Sequence, residues 1–330
     1  MGIHFLIIIL FCITCSFNRN SKDIVVPEID KFTFTLNKQK IEIIPIDTGR
    51  IQIKDCHFSN CLSDDTSYPR RLLSIVSSSE PALEKLPIYT FLIKHPTGNF
   101  LIDTGGDLDW DNDESWSCSA RGRFLSKKIA KVEVTPNQDI LYNLRKYNPE
   151  NDINSIIITH GHFDHTANLK RIQSKNKFIG EGDLINGDKI GTIECKFLSG
   201  IDLKKVNKKE RISSDTDKIN ILFDQTPIYL TEDNSLRIYS VPGHTPGSLV
   251  VTLKTDQGDL FFIGDISFQD TEIEENSIVP GMHFSIKMVR DIHTRLRSYI
   301  KTNTSLLIPS HDKNINHKIN QFRNSNLNKK

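Results

Sequence analysis

Short apolar segments recur along the chain, and each breaks off at a polar or glycine-containing turn. Phe32-Thr33-Phe34-Thr35-Leu36 and Lys40 to Ile46 alternate with period two, as half-buried strands do. Ile88 to Ile93 and Phe100 to Ile102 flank Pro96-Thr97-Gly98-Asn99, which has the residues of a hairpin turn. After an excursion over residues 107–134 that contains Trp110 and Trp116, Thr135-Pro136 and the Ile140, Leu141, Leu144 spacing predict a helix. That helix ends near Tyr147-Asn148-Pro149. Ile153 to Thr159 is then a buried strand.

The second half repeats the alternation. Ser235 to Val241 is a strand, and Leu249 to Lys254 with Leu260 to Ile263 form a hairpin around Asp256-Gln257-Gly258. Met288, Val289, Ile292, Leu296 and Ile300 stand at helical spacing, predicting an amphipathic helix over 285–301. Ser305 to Ser310 is a last strand. One event recurs among the predicted strands: a C-terminal end that carries a His or Asp, as at Asp103, His160, His244, Asp265 and His311. Ligands converging from separate strands on one edge is how an α/β scaffold builds a site.

The chain of 330 residues carries a formal net charge of +1, with 37% hydrophobic and 25% charged residues. That suits a globule with a sizeable core, and it supplies no global reason to expect nucleic acid as a partner. The N-terminus differs in kind. Residues 3–15 are almost wholly apolar and are followed by a polar stretch, which fits a signal peptide or lipoprotein leader over 1–18. Export to the periplasm, secretion, or lipid attachment at the cell envelope follows from that reading. Residues 19–38 read as a tether, 39–313 as the one large folded domain and 314–330 as a polar tail. Cys56 and Cys61 could pair in an oxidising compartment, or remain inert thiols.

Residues 160–165 read His-Gly-His-Phe-Asp-His. Three imidazoles and a carboxylate so close together are hard to bury, because each polar atom needs a partner. Histidine is the commonest metal ligand and carboxylate is a good companion for it, so the segment reads as one wall of a metal centre. His4, His57, His95, His293 and His317 read instead as ordinary hydrogen-bonded histidines.

With the later His, Asp and His at strand ends, the pattern resembles the metallo-β-lactamase superfamily from about Ile41 to Asp312. The resemblance implies an α/β fold of αββα-sandwich type. It also implies two Zn²⁺ ions, with Fe, Mn or Co as substitutes. His160, His162 and His244 would hold one metal, Asp164, His165 and His311 the other, and Asp265 would bridge them. Asp164 and Asp265 would also serve catalysis, and Asp103 would orient a ligand from behind. A bridging carboxylate at Asp265 argues against β-lactam hydrolysis as the native role.

Local text is most similar to the N-acyl-homoserine lactonase group: Leu86-Pro87-Ile88-Tyr89, Leu101 to Gly105, Phe163 within the histidine motif, Pro242 to Gly247, and Ser310-His311-Asp312. That group carries a Tyr three residues after the bridging Asp, where this chain has Phe268. The departure keeps phosphotriesters and other esters open beside a small lactone as substrate. A metal-binding surface protein without turnover is the remaining alternative. Phe163 and Phe268 are expected to line an apolar pocket. His283 is expected either to replace the missing donor there or to be a plain surface residue.

Overall fold

The computed structural model describes residues 30–53, 66–77, 85–109, 129–184, 200–274, 277 and 279–326. The leader, His4, His57, the Cys56–Cys61 pair, Cys118, Cys195 and the Trp110–Trp116 stretch lie outside the described residues.

Two sheets pack face to face. The first contains β1 (Phe32–Leu36), β2 (Gln39–Ile53), β3 (Leu86–His95), β4 (Gly98–Ile102), β5 (Ala130–Glu133), β6 (Ile153–Ile157), β7 (Asn176–Gly180) and β8 (Lys204–Val206). Its order is β1-β2-β3-β4-β6-β7-β8, with β5 paired to β2. The second contains β9 (Ile228–Tyr229), β10 (Leu236–Ser240), β11 (Leu249–Thr255), β12 (Gly258–Gly264) and β13 (Ser305–Pro309), in the order β13-β12-β11-β10-β9. The hairpins pair antiparallel, whereas β4-β6-β7-β8 and β12-β13 pair parallel.

Strand parity explains why both faces of each sheet are apolar. Ile41 and Ile43 of β2, Phe91 and Ile93 of β3, Val251 of β11 and Phe262 of β12 point between the sheets. Their neighbours point outward. Ile44, Ile46 and Leu92 meet α2 (Ile140–Tyr147) through Ile140, Leu144 and Tyr147. Val250, Phe261 and Ile263 meet α4 (Lys218–Phe223) and α5 (Ile286–Thr302) through Phe223, Leu296 and Tyr299. Helices therefore cover both outer faces, and the αββα sandwich expected from the sequence is the fold. Phe91 and Phe262 meet across the middle with ring centroids 5.1 Å apart. Burying each such ring contributes about 2–3 kcal/mol.

The remaining described helices are α1 (Tyr68–Ser77), α3 (Phe163–Thr166) and α6 (Ile315–Asn326). Among the described residues, no helix is long and apolar enough to cross a membrane.

Four local readings need correction. Thr135-Pro136 opens only a 3₁₀ turn, Pro136–Gln138, and the true cap of α2 is Asp139, which accepts from Leu141 N and Tyr142 N. On α5 the buried stripe is Ile286, Val289, His293, Leu296 and Tyr299, while Met288 and Ile300 face solvent. A histidine hydrogen-bonded to the Ile266 carbonyl occupies the apolar face, so residue type misplaced its centre. Phe32–Leu36, read as a strand from its alternation, is the first strand of the larger sheet, so the tether read over 19–38 ends before it. The polar tail is largely α6, because Ile315 and Ile319 stand one turn apart and enter the inter-sheet core.

Candidate metal centre

The carboxyl ends of β4, β6, β7, β10, β12 and β13 gather along one edge of the sandwich. The sheets are tied there directly: Leu249 N donates to Thr159 O at 2.7 Å, and Tyr89 N donates to Ser310 O at 2.9 Å. Just past β6, His160 and His162 flank Gly161, and the single turn α3 then presents Asp164 and His165. β10 leads to His244, β12 to Asp265 and β13 to His311.

Two sets form, each with its nearest ligand atoms within 4.8 Å of one another: His160, His162, His244 and Asp265, then Asp164, His165, Asp265 and His311. All seven predicted ligand positions are thus brought together, and Asp265 belongs to both sets. In the first, His160 Nε2 and His244 Nε2 stand 2.9 and 3.0 Å from His162 Nδ1. Asp265 Oδ2 lies 3.8 Å from His160 Nε2 and 3.6 Å from His244 Nε2. In the second, His311 Nε2 is 3.3 Å from Asp164 Oδ2 and 3.2 Å from Asp265 Oδ2, and His165 Nε2 is 3.3 Å from Asp265 Oδ1.

The far side of each ring decides which nitrogen faces the centre. His165 Nδ1 meets Asp103 Oδ2 at 2.7 Å, and His311 Nδ1 donates to the Pro87 carbonyl at 2.7 Å. Asp103 also accepts from Thr159 N and Thr159 Oγ1 at 2.7 and 2.8 Å. It holds a left-handed φ of 63°, which an aspartate tolerates better than most residues. Its geometry is that of the ligand-orienting group expected from the sequence.

These atoms suit a cation. Nitrogen and carboxylate oxygen with no thiolate is a donor set for Zn²⁺ and its neighbours. Asp164 and Asp265 are nearly inaccessible, and burial of such charge demands compensation. His165 Nε2 and Asp265 Oδ1 are buried without a hydrogen-bond partner among the described residues, although they face each other. Protons supply part of the compensation. Burial opposes charge on His311, but Asp265 and Asp164 outweigh it and push its pKa up to about 10. Burial likewise opposes charge on His165, yet Asp265, Asp164 and Asp103 raise it well above the usual range. His160 and His162 go the other way, lowered chiefly by burial.

Phe268 is buried and stacks on His311 at 5.4 Å, with His244 edge-on at 6.0 Å, so it walls the centre. Phe163 joins an apolar cluster with Ile51, Ile88, Val132 and Ala167 beside the motif. His283 is not a surface residue. It is fully buried, its Nδ1 lies 2.9 Å from His244 Nδ1, and its carbonyl accepts from Arg71 Nη2 at 2.7 Å. It therefore backs a metal-capable histidine. Of the histidines read as ordinary, His95 meets Ser235 and Asp233, His293 donates to Ile266 O, and His317 is exposed.

One carboxylate escaped the sequence reading. Asp183 is wholly buried beyond the end of β7 and accepts three hydrogen bonds from the loops that carry His160, His162 and His244. Burial pushes it up to about 6 against those bonds. Extending the strand-end rule to Gly180-Glu181-Gly182-Asp183 is the signal that could have found it.

Residues 83–311 match the family model described as metallo-beta-lactamase superfamily, and this chain belongs to that superfamily. A curated relative, the metallo-hydrolase mfmC of Annulohypoxylon moriforme, is 22% identical over 200 residues, 54% of this chain and 46% of that protein. The aligned part thus spans about half of that relative's length. An N-acyl homoserine lactone hydrolase with N-hexanoyl-L-homoserine at its catalytic metal center has a TM-score of 0.62 and 16% identity, covering 87% of this chain and 96% of that one. A B. thuringiensis AiiA mutant with bound N-decanoyl-L-homoserine gives the same values. The dizinc quorum-quenching lactonase AidC has a TM-score of 0.53 and 15% identity, over 86% and 90% of the two chains. At these identities the solved structures establish a shared fold.

Proposed function

We propose that this protein is a binuclear metal-dependent hydrolase that opens lactone or ester bonds, with an N-acyl-homoserine lactone-like substrate as the leading case. The observation that carries the reading is the pair of ligand sets sharing Asp265. His160, His162 and His244 would hold one cation, Asp164, His165 and His311 the other, with Asp265 between them. Two Zn²⁺ ions held there would supply an activated water near neutral pH and a Lewis acid for the substrate carbonyl.

The chain's own residues do the rest. Asp103 and the Pro87 carbonyl keep the Nδ1 protons of His165 and His311, leaving each Nε2 as the donor to the cation. Asp265 sets the spacing of the two positions. Asp164, a buried carboxylate of the second set, would be the group that passes a proton to the departing alkoxide. Phe268 keeps water from the His311 side and leaves an apolar wall suited to an acyl chain. The same apolar wall, in place of a phenol donor, favours phosphotriesters as a second substrate class. The apolar run over residues 3–15 supports export, and fractionation of cells producing the full chain checks it.

Hydrolysis of a homoserine-lactone series by zinc-loaded protein, followed by proton release, tests the reading. Metal-dependent ring opening that disappears in Asp265→Ala is expected. Silence across the series, in protein carrying two metals per chain, would sink the lactonase case and move the assignment to phosphotriesters and other esters.

A further inference from the structure

We propose that Asp183 is a positioning residue for the first ligand set, holding the His160–His162 turn and the His244 loop at a set distance across the gap between the two sheets. The proposal rests on the metal-centre reading above and adds to it a residue that touches neither cation nor substrate.

Asp183 follows β7 of the larger sheet, whereas the Pro242 to Gly247 loop follows β10 of the smaller one. Its Oδ2 accepts from Gly161 N at 2.7 Å and from Thr245 Oγ1 at 3.0 Å, and its Oδ1 accepts from Gly247 N at 2.8 Å. Gly161 lies between two of the histidines, so the direction of its amide sets how both neighbouring peptides turn. Thr245 is bonded directly to the third.

Backbone contact makes the tie rigid. A Cβ at Gly180 would stand 1.8 Å from Gly247 O, and one at Gly182 would stand 2.2 Å from Pro246 O. No side chain fits between these segments, so the loops cannot slide without breaking the contact. Three converging donors demand a group that only accepts. An ionised carboxylate does so, whereas the amide of Asn would turn two donors against a third. All three bonds reach the loops of the first set; His311 lies on another segment, whereas Asp164 and His165 sit in α3, which follows directly on the His160–His162 turn. Two of the three bonds come from the His244 loop, which carries no ligand of the second set, so the tie weighs on the first position more than on the second.

The test is cobalt(II) titration of the full-length metal-free protein against a chromophoric chelator, in two backgrounds. His311→Ala leaves the first set intact, and His244→Ala leaves the second. Asp183→Asn is expected to weaken cobalt binding about 10- to 100-fold in the first background and less than about threefold in the second. Thr245→Val, which lacks one of the three donors, should weaken the first set by a smaller factor, and Thr245→Ser should restore it. A general loss of fold would lower both backgrounds alike. Equal losses in the two backgrounds, or none in either, overturn the Asp183 assignment. If Asp183→Asn fails to fold, the Thr245→Val and Thr245→Ser pair decides. A parent protein that takes up no cobalt overturns the metal-centre reading and the proposal with it. A parent that binds two ions, with variants that bind as well, overturns the Asp183 proposal alone.

Discussion

The two halves of the ligand cluster are built from the same residue types and behave oppositely toward protons. The first set has three imidazoles and borrows one carboxylate, and burial lowers His160 and His162. The second places two imidazoles against Asp164, Asp265 and Asp103, and both His165 and His311 are raised. Burial is nearly the same for both. What differs is the local ratio of carboxylate to imidazole, and in a poorly solvated site that ratio decides which histidines stay charged. The first set is thus ready for a cation as it stands, while the second must give up protons first.

The harshest way to break this asymmetry is to remove what the sets share. Asp265→Ala is expected to lower hydrolysis by at least about 10³-fold and to reduce metal content at both positions, as elemental analysis of purified protein would reveal. His160→Ala or His244→Ala should remove one equivalent and most activity. A full metal complement in those variants would defeat the ligand assignment. His293→Ala should leave the metal count unchanged while costing about 1–3 kcal/mol of stability, measured by thermal unfolding, because it leaves the Ile266 carbonyl unpaired.

The proton difference can be measured directly. A cation needs neutral imidazole, so uptake by the second set should release protons at neutral pH, and its affinity should climb as the pH rises toward about 10. Uptake by the first set should release none from His160 or His162, whose values are lowered. The metal-free fold behaves in the matching sense. The raised His311 stabilises it fully below the ordinary histidine value of 6.5, and that contribution is lost as the pH climbs through about 10. Stopped metal titrations with a pH indicator, in single-set backgrounds, check both statements.

A smaller effect sharpens the contrast between the supports behind the rings. Asp103→Asn should weaken the second set about 10- to 100-fold and spare the first, since Asp103 Oδ2 backs His165. Phe268→Tyr adds a phenol where the ring stacks on His311. It should raise kcat on lactones by about 10-fold if carbonyl polarisation is limiting, with little change on phosphotriesters.

Most of the site was legible because its ligands obey a local rule. Five apolar strands run out at a His or Asp, and the six-residue motif at 160–165 is dense enough to exclude an ordinary core. Supports escaped that rule for different reasons. His283 lies in an irregular loop, and nothing near it in sequence announces that Arg71, more than two hundred residues earlier, draws its carbonyl inward. Asp183 resembles any acidic residue after a strand until the second sheet brings Gly247 against it. The tail was read by composition, and its Asn and Lys content hid the two isoleucines that dock it.

By itself the sequence determined the sandwich, the strand ends that form the site, and the seven residues able to hold metals. The strand ends follow from local pattern and local chemistry, whereas the sandwich and the full ligand set follow from the resemblance to a known superfamily that those residues carry. Only the tertiary structure decided which carboxylate stands behind which ring, which imidazoles carry protons, and what holds the two sheets in register at the centre. Those properties depend on distances between segments far apart in the chain, and in a buried site a few ångströms decide whether a neighbouring charge outweighs the loss of water.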